Sequence, residues 1–142
     1  MIAYKKLIVI KDKRGEIIHV SSPTRGTLWN LEDGSYVLRD EKSPAPDKPG
    51  GIHAVWASDD EQLKNYAGIV AEVFLSGDIV RGKRGARAQA ARVIRIHDDG
   101  ANLRGATLDG ATLDGANLRG ARACNHTVGL PPKTAGVIWI ED

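Results

Sequence analysis

The side chains able to do chemistry are few and scattered. Four histidines, His19, His53, His97 and His126, show no metal-ligand spacing, and Cys124-Asn125-His126 supplies one pair at most. A structural zinc site takes four ligands. No Ser/His/Asp order, phosphate-cradling glycine loop or dinucleotide motif is present. The reading is therefore no catalytic residue, no metal and no cofactor, with the histidines in structural roles. One charged stretch stands out. Residues 81–95 hold Arg81, Lys83, Arg84, Arg87, Arg92 and Arg95, with no acid between Asp78 and Asp98. Arg81, Lys83, Arg84 and Arg87 are the possible phosphate contacts. No aromatic residue interleaves them, so a solvated face is the favoured account and nucleic-acid binding the alternative.

Global composition does not add to that pull. Twenty basic residues against 18 acidic leave a formal charge of +2 over 142 residues, too little to steer the chain to nucleic acid or an anionic membrane. The single cysteine, Cys124, has no partner for an internal disulfide, which suits a reducing compartment. Met1 to Lys6 leads into only four apolar residues, too few for a signal-peptide core, and no run reaches the length of a membrane span. The expectation is a soluble cytoplasmic protein, or one packaged into a virion assembled inside a cell.

The elements that would position these residues are mostly strands. Leu7–Ile10 and Ile17–Val20 flank the polar tip Lys13-Arg14-Gly15, as in a β-hairpin. Leu28–Leu31 and Tyr36–Leu38 form a second pair around Glu32-Asp33-Gly34-Ser35. Pro44, Pro46 and Pro49 exclude ladder pairing between Asp40 and Gly51, which reads as a surface loop. A strand resumes at Ile52–Trp56. Ser58-Asp59-Asp60-Glu61 has the form of a capping box, and Leu63, Tyr66 and Ala67 fall on one helical face before Gly68. One short helix is predicted there. Ile69–Leu75 is a strand, Ser76-Gly77-Asp78 a turn, and Ile79-Val80 a brief continuation. Residues 86–97 read either as degenerate lead-in repeats or as a strand ending in Val93–Ile96.

A five-residue frame then takes over: Ala101-Asn-Leu-Arg-Gly, Ala106-Thr-Leu-Asp-Gly, Ala111-Thr-Leu-Asp-Gly, Ala116-Asn-Leu-Arg-Gly, and a decayed Ala121-Arg-Ala-Cys-Asn. Period five fits neither a helical stripe nor a strand alternation. It needs a corner every fifth residue, where Gly105, Gly110, Gly115 and Gly120 bend at low cost. The repeat core is Ala101, Leu103, Ala106, Leu108, Ala111, Leu113, Ala116 and Leu118, all facing inward.

This frame resembles the pentapeptide-repeat family, whose chains wind as a right-handed quadrilateral β-helix with four units to a turn. That resemblance implies little more than one coil. Burying four leucines does not offset the entropy of ordering such a coil, and repeats need neighbours on both sides. A cap is therefore required: the N-terminal domain, residues 86–97, the C-terminal tail with Leu130-Pro131-Pro132 and Val137–Ile140, or another subunit. The coil is too short and too neutral to imitate a DNA duplex, with Asp98, Asp99, Asp109 and Asp114 against Arg104, Arg119 and Arg122.

Two resemblances concern the N-terminal part. Trp29-Asn-Leu, Gly51-Ile52-His53-Ala54, the helix with Leu63 and Tyr66, Val70 to Val80, and Ala91-Arg-Val-Ile-Arg95 are together similar to an uncharacterised domain of bacteriophage and actinobacterial proteins, over residues 4–97. Arg25-Gly26-Thr27, ahead of a strand–helix–strand, loosely resembles the nicotinamide site of ADP-ribosyltransferase-like folds, which implies NAD binding near Arg25 and His53; a plain turn is the bland account.

The expected fold is an α+β domain, mainly β with one short helix, at 1–97, a pentapeptide-repeat coil at 98–125, and a capping tail at 126–142. The expected function is non-enzymatic binding or assembly, phage-encoded as a virion component or an inhibitor of a host protein. Its partner would be a protein or a second copy capping the open coil end, with no membrane involved. An ADP-ribosyltransferase-like enzyme and a nucleic-acid-binding protein acting through 81–95 are the alternatives.

Overall fold

The computed structural model describes residues 1–40 and 43–97, together with the strand backbone at 116–117, 122–123 and 138–139. The strands run in chain order as β1 Ile2–Asp12, β2 Ile17–Ser21, β3 Asn30–Glu32, β4 Ser35–Arg39, β5 Ile52–Val55, β6 Ile69–Arg81, β7 Gly85–Ile96, β8 Ala116–Asn117, β9 Arg122–Ala123 and β10 Ile138–Trp139. The mainly β expectation holds. Two compact units divide the chain: Met1–Lys5, Asn30–Lys64 and Val70–His97 in one; Lys6–Trp29, Asn65–Ile69 and Asp98–Asp142 in the other.

In the first unit a small barrel closes. β1 pairs with β5 at Tyr4↔Val55, β5 with β7 from Ile52↔Ala88 to Val55↔Gly85, β7 with β6, and β6 with β1, where the Leu75 amide donates to the Met1 carbonyl at 2.8 Å. Closure leaves these strands without an open edge in the ring. The β3–β4 hairpin adds to β7 at Val37↔Arg92. Its two-residue tip, Asp33-Gly34, has positive φ at both positions, 49° and 82°. That is the geometry Asp-Gly adopts most readily and the one that matches strand twist.

The alanine-rich stretch is settled as β7, a twelve-residue strand and not a run of lead-in repeats. Its burial changes face part-way. Ala86, Ala88 and Ala90 are buried on one side, and Ala91 is fully buried on the other, opposite Leu75. Small side chains suit a strand that is paired along both edges and closely packed at these positions. The regularity of Ala spacing therefore has a packing cause.

Two expectations need correction. Ser76-Gly77-Asp78 does not end a strand, because β6 runs through it with a bulge between Ser76 and Ile79. Gly77 supplies the left-handed φ of 76° at that bulge, and the Gln89 side-chain oxygen accepts from the Asp78 amide at 3.3 Å. Nor does Ser58 cap an α-helix. The segment forms one 3₁₀ turn, Glu61–Asn65, capped by Asp60, whose Oδ1 accepts from the Gln62 amide at 2.9 Å and whose carbonyl accepts from Leu63 at 3.1 Å. Between Ala57 and Gly68 the chain is too short for a self-supporting helix. Leu63 and Ala67 are buried, while Tyr66 is left largely exposed.

The second unit carries the β1–β2 hairpin, paired from Ile8↔Ser21 to Lys11↔Ile17. Its tip is an Asx turn, with Asp12 Oδ1 accepting from the Arg14 and Glu16 amides at 2.8 and 3.0 Å. Leu7, Ile8, Val9 and Ile10 are all buried, so both faces of β1 are covered there. Gly68 lies against it: a Cβ at this position would meet the Leu7 carbonyl, and its φ is 103°.

Glycine substitutions test these close approaches. Gly15→Ala, at φ 84° with open space around it, should cost about 1–2 kcal/mol from conformation alone. Gly85→Ala, whose Cβ would strike the Ala54 carbonyl, should cost about 1–3 kcal/mol from overpacking. Gly68→Ala combines both penalties and should be the worst of the three. Urea unfolding midpoints read the order; equal losses at Gly15 and Gly68 would contradict the close packing against Leu7.

Candidate functional site

The basic residues of 81–95 are separated by the fold into distinct duties. Arg81 ends β6 and Lys83 sits in the four-residue tip between Arg81 and Ala86; both are exposed. Arg84, in the same tip, grips Asp60 with two nitrogens, Nη2 to Oδ1 at 2.5 Å and Nε to Oδ2 at 3.3 Å. This bidentate contact, followed by the Gln62 amide, holds the Asp60 carboxyl below the usual carboxylate range. Trp56 fastens the tip from the other side, its amide donating to Arg84 O at 2.9 Å and its indole N–H to Gly82 O at 3.0 Å.

Arg87 is a clamp on the proline loop. Its Nη1 donates to the carbonyls of Lys48 and Gly50, both at 2.8 Å, and its Nη2 to the carbonyl of Ala45 at 2.9 Å. The loop thereby becomes a fixed turn, Ala45-Pro46-Asp47-Lys48, closed by the Lys48 amide on Ala45 O at 3.1 Å. Proline at its second position pre-sets the φ such a turn requires. Asp40 closes the base, accepting from the Gly51 amide at 2.9 Å. So Arg84 and Arg87 have partners within the fold, and Arg81 and Lys83 face solvent. Arg92 reaches the Glu32 carbonyl at 3.4 Å.

The histidines divide in the same manner. His19 is buried, and its Nε2 lies 2.7 Å from the buried Ser21 Oγ; burial pushes its pKa down. His53 is exposed on β5 and pairs across the ladder with Arg87. Its pKa is lowered by partial burial, then by the charges of Lys5 and Arg87. His97 follows β7 at the surface, and His126 and Cys124 lie outside the described residues. No group of three or more His, Cys, Asp or Glu stands close enough to hold a metal among the described residues. Arg25-Gly26-Thr27 is a turn: the Gly26 amide donates to Ser22 O at 3.1 Å, and the Ser22 amide to Thr27 O at 2.9 Å.

Lys5 is a residue the sequence reading passed over, as part of a leader before Leu7. It lies within β1, half-buried, and its Nζ donates to the His53 carbonyl at 2.8 Å. Burial brings its pKa from the ordinary 10.5 down to about 8. The available signal was a lysine set two residues after Ala3 and two before Leu7, both wholly buried, on a strand whose side chains alternate. Two exposed apolar side chains also went unremarked. Phe74 on β6 is 44% exposed, and Ile94, the extra residue at a second bulge in β7, is 49% exposed.

The repeat core residues Ala101, Leu103, Ala106, Leu108, Ala111, Leu113 and Leu118 lie outside the described residues, and Ala116 is described only through its backbone. That backbone is informative. β8 adds to β1 in antiparallel register, Lys11↔Asn117 and Asp12↔Ala116, at the end where β1 also meets β2 at Ile17. β9, in the decayed fifth unit, pairs in parallel with β10 of the tail, Ile138↔Arg122 and Trp139↔Ala123. No helix among the described residues is long and apolar enough to cross a membrane.

Comparison with known proteins agrees with the repeat frame. Residues 99–123 match the family model described as pentapeptide repeats (8 copies). No curated protein and no solved structure matches the chain.

Replacing Arg87 by Lys keeps the charge and loses the fork. We expect a destabilisation of about 1–3 kcal/mol from the unmet carbonyls, with faster proteolysis at residues 43–50. Arg81→Ala and Lys83→Ala should stay within about 0.5 kcal/mol of the parent, which makes them the clean variants for any phosphate-binding assay. Lys5 gives a pH signature. Its folded pKa is depressed below the unfolded value, so the unfolded chain binds more protons between about pH 8 and 10.5. Stability from this group rises with pH across that window, and the burial penalty is fully present below it. Lys5→Met should therefore be more stable than the parent at pH 7, with the difference closing by pH 10.5 in denaturant titrations.

Proposed function

We propose that this chain is a non-enzymatic binding or assembly module, in which the β1–β2 hairpin pairs with a short pentapeptide-repeat segment that serves for contact with another protein. The observation that carries the reading is the repeat match at 99–123 together with the two ladders, β8 on β1 and β9 on β10, that fasten its backbone. A coil of this length lacks the self-support of a long solenoid and takes its neighbours from outside the repeat. Phe74 and Ile94 add exposed apolar area on the β6–β7 face. The resemblance of residues 4–97 to a phage-associated domain supports a phage-encoded role, as a virion component or an inhibitor of a host protein, acting in the cytoplasm of the cell.

The enzyme reading has less support, since Arg25-Gly26-Thr27 is held as a turn and the expected helix is a single 3₁₀ turn. The nucleic-acid reading has to rest on Arg81 and Lys83, because Arg84 and Arg87 already serve the fold.

Affinity capture with the intact chain tests the binding role. A stoichiometric protein partner, or a stable self-complex by light scattering, is expected. The double variant Leu108→Asp with Leu113→Asp, which sets charge in the repeat core, should abolish capture while the urea midpoint of the barrel is kept. Equal capture by both chains would move the binding surface off the coil. A folded monomer that retains nothing would remove the reading.

A further inference from the structure

In the first unit two cations and an imidazole stand together without an acid set against them. His53 and Arg87 are directly opposite in the β5–β7 ladder, so their side chains share a face. Lys5 joins them from β1, its Nζ donating to the His53 carbonyl at 2.8 Å. Partial burial, then the charges of Lys5 and Arg87, lower the pKa of His53, so both cations lie within electrostatic reach of its ring. Ion pairs among the described residues form elsewhere: Arg39 with Glu32, Lys64 with Glu61 and Arg84 with Asp60. Of the acids near the proline loop, Asp40 accepts from the Gly51 amide and Asp47 is exposed on the turn. The donors are held in place and not exhausted. Arg87 commits both Nη1 hydrogens and one on Nη2 to the loop carbonyls, which leaves the other Nη2 hydrogen and the Nε–H. Lys5 commits one ammonium hydrogen, and the His53 ring is exposed. Because carbonyls already fix both cationic heads, a ligand does not have to order them on binding.

We infer that Lys5, His53 and Arg87 form a binding site for a small phosphate-type anion, either inorganic phosphate or the terminal phosphate of a monoester. Charge complementarity selects that class. Two fixed cations beside an imidazole suit a ligand with about two negative charges and several acceptor oxygens, which a terminal phosphate supplies near pH 7. A carboxylate brings less charge and fewer oxygens, and a nucleic-acid backbone offers singly charged phosphodiesters. A bound dianion offsets the repulsion among the three groups and the burial of Lys5. It therefore raises folding stability as it binds.

The test titrates the full chain with inorganic phosphate, with phenyl phosphate and with a single-stranded oligonucleotide lacking terminal phosphates, each against sodium chloride at matched ionic strength. Proton NMR should show His53 titrating about one pH unit higher in saturating phosphate, with His97, beyond the far end of β7, unmoved. The urea midpoint of the parent should rise with phosphate. Lys5→Met should lose both responses, and Arg81→Ala with Lys83→Ala should keep them. A response to inorganic phosphate alone assigns the free ion, and a stronger response to phenyl phosphate assigns a monoester; both support the site. No response beyond that of chloride overturns the inference, and so does a response that Lys5→Met retains or one confined to the oligonucleotide. Should Lys5→Met fail to fold, the parent decides alone. A saturable rise of the His53 titration with phosphate then supports the site, and a titration that stays where chloride leaves it overturns it.

Discussion

Strand β7 is bonded along both edges for most of its length. One edge takes β6 from Ala86 to Ile96; the other takes β5 from Gly85 to Ala88, then β4 from Ala90 to Arg92. Between those two partners the Asp40 amide reaches the Gln89 carbonyl at 2.8 Å, so the second edge has no gap. Four of its alanines, Ala86, Ala88, Ala90 and Ala91, are buried as well. Everything that shapes the first unit follows from this crowding. The ring closes through β7, the β3–β4 hairpin hangs from it, and one of its arginines, Arg87, governs the proline loop. A side chain larger than alanine at 86, 88, 90 or 91 has nowhere to go without parting a ladder.

Crowding also explains which parts of the fold were legible in the sequence. The hairpin tips were plain, because Asp33-Gly34 and Lys13-Arg14-Gly15 carry their turn chemistry locally. Strand β7 was ambiguous, since its buried alternate positions, Ala86, Ala88 and Ala90, are alanines whose spacing mimics the repeat downstream. The helix expected at 58–67 followed from a sound local signal, a Ser-x-x-Glu box. That signal lost to a tertiary contact, the Arg84 grip on Asp60, which places the cap two residues later. The start of β1 was missed because Lys5 and Lys6 interrupt the apolar pattern. Both ammonium groups reach backbone carbonyls, His53 at 2.8 Å and Gly68 at 3.3 Å, instead of solvent alone.

The candidate site was half legible. The repeat frame announces itself through period five, and the family match at 99–123 covers the same residues. What pairs with the backbone of the repeat segment was not legible. β1 gives no sign that its last two residues bond a distant strand, because Lys11 and Asp12 read as the polar end of a hairpin. Backbone pairing leaves little trace in side-chain type, and that is the physical reason sequence patterns find cores more readily than edges. The basic stretch shows the reverse. Its charges are conspicuous in sequence, and the fold gives Arg84 and Arg87 internal partners that charge alone does not announce.

The Arg87 clamp has a consequence for how this protein can change. It holds the loop through the carbonyls of Ala45, Lys48 and Gly50, groups that every amino acid possesses. The side chains of Pro46, Asp47 and Lys48 are exposed and take no part in that grip. Their identity is thus uncoupled from the shape of the loop, within the limits set by the turn and by Pro44, which packs against Gly51. A recognition surface carried there could be rewritten one residue at a time while the arginine beneath it keeps the backbone in place. In that sense the loop is a display position, and its anchor is indifferent to what is displayed.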